Sequence, residues 1–183
     1  MAGLSALRLF YLLHLSKPAS DRVLYRDIRR KKARKVVEIG LGTGQRAVHL
    51  IEVLKEFHEV GQIHYTGVDL FEARTAADGP GITLRDAHRL LKPTGARIQL
   101  VPGTAGEALA RVANGLTEVD VVIVSASNLP EQMSLAWFYL PRMIHAGTQF
   151  YQESLAPSGG TAMRLLPPDE IARLCAEGQR RAA

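Results

Sequence analysis

Three glycines at alternate positions, Gly40, Gly42 and Gly44, follow an apolar run and precede an amphipathic one. Glycine at such places lets the chain turn sharply with positive φ and lets a ligand approach the backbone. The helix expected after the turn offers unpaired N–H groups to an anionic ligand group. Two acids accompany the turn: Glu38 just before it, and Asp69 after the next apolar run, Tyr65-Thr66-Gly67-Val68. Two chemistries compete for this arrangement. Gly42-Thr43-Gly44-Gln45-Arg46-Ala47 matches the dinucleotide pattern G-x-G-x-x-A, with Asp69 placed to hold a ribose, so an NAD(P)-dependent oxidoreductase is one reading. Glu38 favours another. A carboxylate repels a pyrophosphate in a partly desolvated cleft, but attracts a ligand that carries an ammonium and a sulfonium. Without a ligand, Asp69 reads as a strand-end acid capping a loop, and Glu38 as a partner of the neighbouring helix dipole.

These residues need elements to hold them. Short β-rich runs at 36–39, 64–69, 97–101, 119–125, 148–153 and 161–166 alternate with helical patterns at 45–59, 83–91, 104–114, 131–140 and 169–177. In 45–59, Ala47, Leu50, Ile51 and Leu54 share one face, and Glu52, Lys55, Glu56 and Glu59 share the other. Alternation at this spacing predicts βαβ units. The expected fold is α/β, a mostly parallel twisted sheet with helices on both faces. Val121-Val122-Ile123-Val124 is apolar throughout, as a central strand covered on both faces must be.

Glu38-Ile39-Gly40-Leu41-Gly42-Thr43-Gly44 resembles the first motif, E/D-x-G-x-G-x-G, of the class I (Rossmann-like) S-adenosylmethionine-dependent methyltransferases. Tyr65-Thr66-Gly67-Val68-Asp69-Leu70 resembles their second motif, an acid ending the second strand. The resemblance spans residues 35–155. It implies S-adenosylmethionine as cofactor, with Gly40, Leu41, Gly42, Thr43 and Gly44 cradling its methionine part and Glu38 near its amino group. It further implies that Asp69 accepts hydrogen bonds from both ribose hydroxyls, that Leu70 packs on the adenine, and that Gly103, Thr104, Ala105 and Ser125 complete the site. The activity implied is in-line methyl transfer to an oxygen or nitrogen.

The likeness thins beyond the second strand. Relatives often carry an adenine-binding acid near Thr104, but Thr104-Ala105-Gly106-Glu107 is also a capping-box sequence. The fourth strand ends in Val124-Ser125-Ala126-Ser127-Asn128-Leu129-Pro130, with neither an acid nor an N/D-P-P-aromatic segment, and Asn128 with Glu131 reads as a helix N-cap. No catalytic base stands out. Glu153, His145 and Tyr151 are strand-end candidates, joined by Tyr11 and His14 if an N-terminal helix forms a lid; each has a packing or surface alternative. Methyl transfer tolerates this, since a base is needed only when the acceptor must lose a proton. A catalytically inert binding or scaffolding module of the same fold is the second reading. About thirty residues follow the fifth strand, enough for one more strand and a helix, so the sheet is expected to stop at six strands with an edge to be covered.

The charge is uneven. Of 183 residues, 46% are hydrophobic, 22% charged and 6% aromatic, a balance that excludes a disordered chain. The net charge of +5 comes from residues 1–35, with ten Lys/Arg against two Asp; residues 36–183 hold thirteen against sixteen acids. The chain is therefore divided into an N-terminal helical extension, 1–35, and a cofactor-binding domain, 36–183. Leu4, Leu7, Tyr11 and Leu15 predict a helix that Pro18 ends, with Ser20 capping the next by its side chain. That second helix runs into Arg29, Arg30, Lys31, Lys32, Arg34 and Lys35, either an RNA-binding patch or a solvated helix end that complements the helix dipole. A small-molecule acceptor is favoured, and the apolar N-terminus suggests a homodimer. A single cysteine, Cys175, precludes an intrachain disulfide and fits a cytoplasmic setting. No apolar run approaches the ~20 residues of a membrane span. The six histidines show no metal-ligand spacing.

Overall fold

The computed structural model describes residues 4–128, 130–157 and 159–182. Six strands, β1 (Lys35–Ile39), β2 (His64–Asp69), β3 (Arg97–Pro102), β4 (Val119–Val124), β5 (Ile144–Leu155) and β6 (Thr161–Leu166), form one sheet in the order β3-β2-β1-β4-β5-β6. The first five are parallel and β6 runs antiparallel to β5. Seven α-helices among the described residues cover the sheet: α1 (Ala6–His14), α2 (Asp21–Lys31), α3 (Gln45–Leu54), α4 (Leu84–Leu91), α5 (Ala105–Val112), α6 (Pro130–Tyr139) and α7 (Pro168–Ala182).

The period of two along each strand sorts the core into two layers. Val36, Tyr65, Val121, Ile123 and Tyr151 face α1 to α4, where Leu12, Leu24, Ile28, Leu50 and Leu54 are buried. Val37, Ile39, Val68, Val122 and Phe150 face α5, α6 and α7, packing with Leu109, Trp137 and Ile171. Helices therefore lie on both faces, as expected. The first layer runs across residue 35 without a break, because Leu24, Tyr25 and Ile28 of α2 belong to the same core as Leu50 of α3.

One cap departs from expectation. Ser20 precedes α2 in helical backbone conformation and makes no side-chain cap. Its hydroxyl pairs instead with that of Thr161 on β6 at 2.8 Å, tying the N-terminal helices to the last strand. Asn128 donates its amide to the carbonyls of Ile39 (3.0 Å) and Ser125 (3.4 Å), so it clamps the ends of β1 and β4 together. The side chain of Glu131, its expected capping partner, lies outside what the structure describes.

Candidate functional site

Strand order reverses between β1 and β4, so the loops after these strands part to either side and leave a crevice at their carboxyl ends. The glycine turn enters it. Gly40 (φ +92°) has no room for a side chain: a Cβ there would lie 2.5 Å from Asn128 Nδ2 and 2.6 Å from Ser125 Cβ. Gly42 (φ +58°) is roomier, the nearest atom to an added Cβ being the Pro80 carbonyl oxygen in ordinary contact at 3.7 Å. Gly40 thus serves packing, and Gly42 leaves backbone exposed to a ligand. Gly44 begins α3 in the left-handed conformation.

Glu38 does not reach the crevice. It shares the face of Val36, so its side chain enters the layer of α2 and α3 and is fully buried. Tyr65 donates its hydroxyl to Glu38 Oε2, and Arg46 Nη1 stands 3.4 Å from Oε1. Arg46 is the hub: its guanidinium also meets Asp21 Oδ1 at 2.8 Å and Glu153 Oε1 at 2.6 Å. One cation among three carboxylates cannot offset the desolvation of all three. Burial accordingly pushes the Glu38 carboxyl up to about 7, against the pull of Arg46 and Tyr65. Burial likewise raises Asp21. Period-two alternation aims Glu38, expected near the ligand's amino group, inward and away from the cleft surface, where the lining carboxylates are Asp21, Asp78 and Glu153.

Asp69 ends β2 beside the glycine turn. Its Oδ2 accepts from the Gly42 N–H at 2.9 Å, and its Oδ1 from the Phe71 N–H at 3.1 Å. Arg74 completes the set with a two-pronged contact, Nε to Oδ1 at 2.6 Å and Nη2 to Oδ2 at 2.7 Å. Burial opposes the charged form of Asp69, but these bonds outweigh it and hold its carboxyl below the usual value.

Two spaces open around these groups. A cleft of about 610 Å³ is lined by Gly40, Leu41, Gly42 and Thr43, by Arg46 and Glu153, and by Lys17, Pro18 and Asp21 from the N-terminal segment. That volume is within the range of about 300–1,000 Å³ usual for small-molecule sites. Ser125 lines it too, donating to Glu153 Oε2 at 3.3 Å, as does His49, whose ring contacts Gln45 (3.0 Å) and Tyr25 (3.3 Å). Burial lowers the His49 pKa, so its imidazole is neutral at neutral pH. A second hollow of only about 20 Å³ lies beside it, lined by Asp69, Leu70, Gly103 and Thr104. Gly40, Arg74, Asp78 and Ser127 border both.

The structure thus brings Gly40 to Thr43, Asp69, Leu70, Gly103, Thr104 and Ser125 to one crevice. Ala105 lies elsewhere: it is buried in the α5–sheet core. Thr104 caps α5 in a full capping box with Glu107. Among the proton-transfer candidates, Glu153 alone lines the cleft. Tyr151 is buried mid-strand and donates to Asp27 at 2.9 Å. His145 lies near the amino end of β5, 3.6 Å from Asp120. Tyr11 and His14 sit on α1, outside the cleft wall, which the segment after that helix supplies. Arg46, Arg74, Asp21, Lys17 and His49 went unnoticed as site residues. Arg46 and His49 were signalled by their place in the first turns of α3, and Arg74 by a cation five residues after the strand-end acid.

The basic run lies at the opposite end of β1. Arg29 pairs with Glu56 (2.7 Å) and Arg30 with Asp27 (3.1 Å), while Lys31 donates to the Gly147 carbonyl. Lys32 stands over the Phe57 ring, Arg34 contacts His58 and Lys35 donates to the Thr117 carbonyl. Each of these cations thus has a protein partner. No three His, Cys, Asp or Glu gather as a metal site among the described residues, and no described helix is long and apolar enough to cross a membrane.

The sequence matches no family model, and no curated protein matches it. Solved structures do match in shape. The O-methyltransferase TomG of Streptomyces achromogenes, in complex with SAM, gives a TM-score of 0.58 at 15% identity over 92% of this chain and 69% of its own. An O-methyltransferase of Bacillus cereus in complex with SAH gives 0.57 at 17% identity, over 97% and 70%. Aeropyrum pernix fibrillarin with natively bound S-adenosyl-L-methionine gives 0.52 at 15% identity, over 81% and 56%. Against several such structures the chain spans only about half to two thirds of their length. At these identities the likeness establishes the fold, the Rossmann-like fold of S-adenosylmethionine-dependent methyltransferases.

Proposed function

We propose that this chain binds S-adenosylmethionine at the crevice and transfers its methyl group in line to an oxygen or nitrogen of a small-molecule acceptor. One observation carries the reading: the Gly42 N–H, in the turn after β1, meets the Asp69 carboxylate at the end of β2, beside a cleft of ligand size. The roomier side of Gly42 fits a ligand pressed against backbone. Gly40 to Thr43 would hold the amino-acid part, Asp69 the ribose, and Leu70, Gly103 and Thr104 the adenine side.

Bound there, the sulfonium supplies an activated methyl group with its own leaving group. The chain's task is then to align, to exclude water and to match charge. Asp21, Asp78 and Glu153 line the cleft together with Lys17, Arg46 and Arg74, so the wall offers both signs, and its charge alone does not choose between a sulfonium and a pyrophosphate. Lys17 and Pro18 cover the cleft from the N-terminal segment. Glu153, Asp21, Asp78 and the His49 imidazole are cleft-lining groups able to take a proton from an acceptor.

Calorimetry tests the binding. S-adenosylmethionine and S-adenosylhomocysteine should both release heat, and silence from both at high protein concentration refutes the reading. Asp69→Ala should weaken binding by ~1–3 kcal/mol through lost hydrogen bonds. A second reading, an inert module of the same fold, is favoured by one observation: Asp69 is already engaged by Arg74. Transfer of labelled methyl into any acceptor of a cell extract excludes it.

A further inference from the structure

We propose that Arg74 is a gate on the nucleoside half of the crevice, opened by exchange of its guanidinium for the vicinal diol of a ribose. The inference rests on the binding reading above and adds the step by which the site becomes available. An ionised carboxylate offers about four acceptor positions. On Asp69 all four are taken: Phe71 N–H and Arg74 Nε on Oδ1, Gly42 N–H and Arg74 Nη2 on Oδ2. The two backbone donors are fixed by the turn and by β2. The two from Arg74 ride on a side chain, and they form a fork with one donor to each oxygen. A ribose diol presents the same thing, two O–H donors side by side, so it can replace the fork bond for bond. A ligand lacking one hydroxyl would leave an acceptor short, and a buried acceptor short of a donor is costly.

The surroundings set what the opening must break besides the fork. Arg74 belongs to a stretch of short 3-10 turns between β2 and α4. The loop wraps its stem closely: a Cβ on Gly81 would lie 2.4 Å from Arg74 Cδ. Another donor, Nη1, holds the Asp78 carbonyl at 2.5 Å. Arg74 also borders both the large cleft and the small hollow. With the guanidinium withdrawn, the two become one elongated space, the shape that a nucleoside with an amino-acid tail requires. The gate therefore selects ribonucleosides over their deoxy counterparts.

The test measures dissociation constants of S-adenosylhomocysteine for the wild-type chain, Arg74→Ala and Arg74→Lys by calorimetry. Adenosine and 2′-deoxyadenosine serve as fragment probes. Arg74→Ala should bind S-adenosylhomocysteine at least tenfold more tightly. Arg74→Lys, which keeps the charge and loses the fork, should fall between. The wild-type preference for adenosine over 2′-deoxyadenosine should shrink in Arg74→Ala. Should the variants misfold, trypsin decides on the wild-type chain. S-adenosylhomocysteine should speed cleavage of the Arg74–Thr75 bond, where a ligand that leaves Arg74 in place would protect it. Tightness unchanged or reduced in Arg74→Ala, or protection of that bond, overturns the gate and leaves the binding reading intact. No binding by any of the three chains overturns both.

Discussion

Two carboxylates end neighbouring strands of this sheet, each met by an arginine, and they behave in opposite ways. Glu38 is sealed under the glycine turn, shares Arg46 with two other acids, and has its carboxyl raised to about 7 by burial. Asp69 is buried too, but it shares Arg74 with no other carboxylate, accepts from two backbone donors as well, and is held below the usual carboxylate range. The difference lies in the ratio of donors to desolvated charge. Where one cation serves three buried acids, the pair is part of the frame. Where four donors converge on one acid beside the cleft, the proposed gate exchanges the two carried by a side chain.

The sharpest way to break this comparison is to remove each arginine in turn. Arg46→Met should cost about 3–5 kcal/mol in urea unfolding, because Glu38, Asp21 and Glu153 lose their shared counter-charge. Arg74→Ala should cost about 1–2 kcal/mol, since Asp69 keeps two backbone donors and gains water. Equal losses would erase the distinction. The turn between the acids offers a second contrast. Gly40→Ala should lose about 2–4 kcal/mol from overpacking and backbone strain. Gly42→Ala should lose about 1–2 kcal/mol, from strain alone. Thermal melts that rank them the other way would relocate the tight side of the turn.

Acidity sharpens the comparison further. Glu38 holds its proton more tightly folded than unfolded between pH 4.5 and about 7, so its contribution is fully present below that window and lost as pH rises through it. Glu38→Gln should flatten a decline of about 1–3 kcal/mol across this range. Asp69 has the opposite sign: its contribution is present above the ordinary carboxylate pKa and lost as pH falls through its lowered value. Asp69→Asn should leave the pH 4.5–7 slope untouched. The smallest effect is expected far from both acids. Arg29→Ala breaks a largely exposed pair with Glu56 and should change stability by about 0–1 kcal/mol.

Much of the frame could be read from residue order. The strands at 64–69 and 161–166 fall on the observed bounds, because each is a β-rich run closed by turn residues or a proline. The predicted helix 45–59 ends earlier, at Leu54, where the chain continues in turns before β2. Within the site, Gly42 and Asp69 were legible because their spacing fixes where two strands end. The inward aim of Glu38 was legible in principle from alternation with Val37 and Ile39. That signal was overridden by the attraction of placing an acid beside a cationic ligand. The positions of Arg46 and Arg74 carried a signal but their partners did not, since what a long side chain reaches depends on how distant elements pack. Asp21, for example, comes from a helix that the charge balance alone assigns to a separate extension.

The hydroxyl pair of Ser20 and Thr161 joins positions 141 residues apart, next to the cleft that Pro18 and Thr161 both line. During translation, then, the glycine turn, the strand-end acid and the arginine hub all emerge while one wall is still missing. A stalled or prematurely terminated product ending before β6 would carry both motifs yet lack the Thr161 edge of the cleft and its tie to Ser20. If the proposed binding holds, a ribosome-bound series of increasing length should reach full affinity only once Thr161 has cleared the exit tunnel.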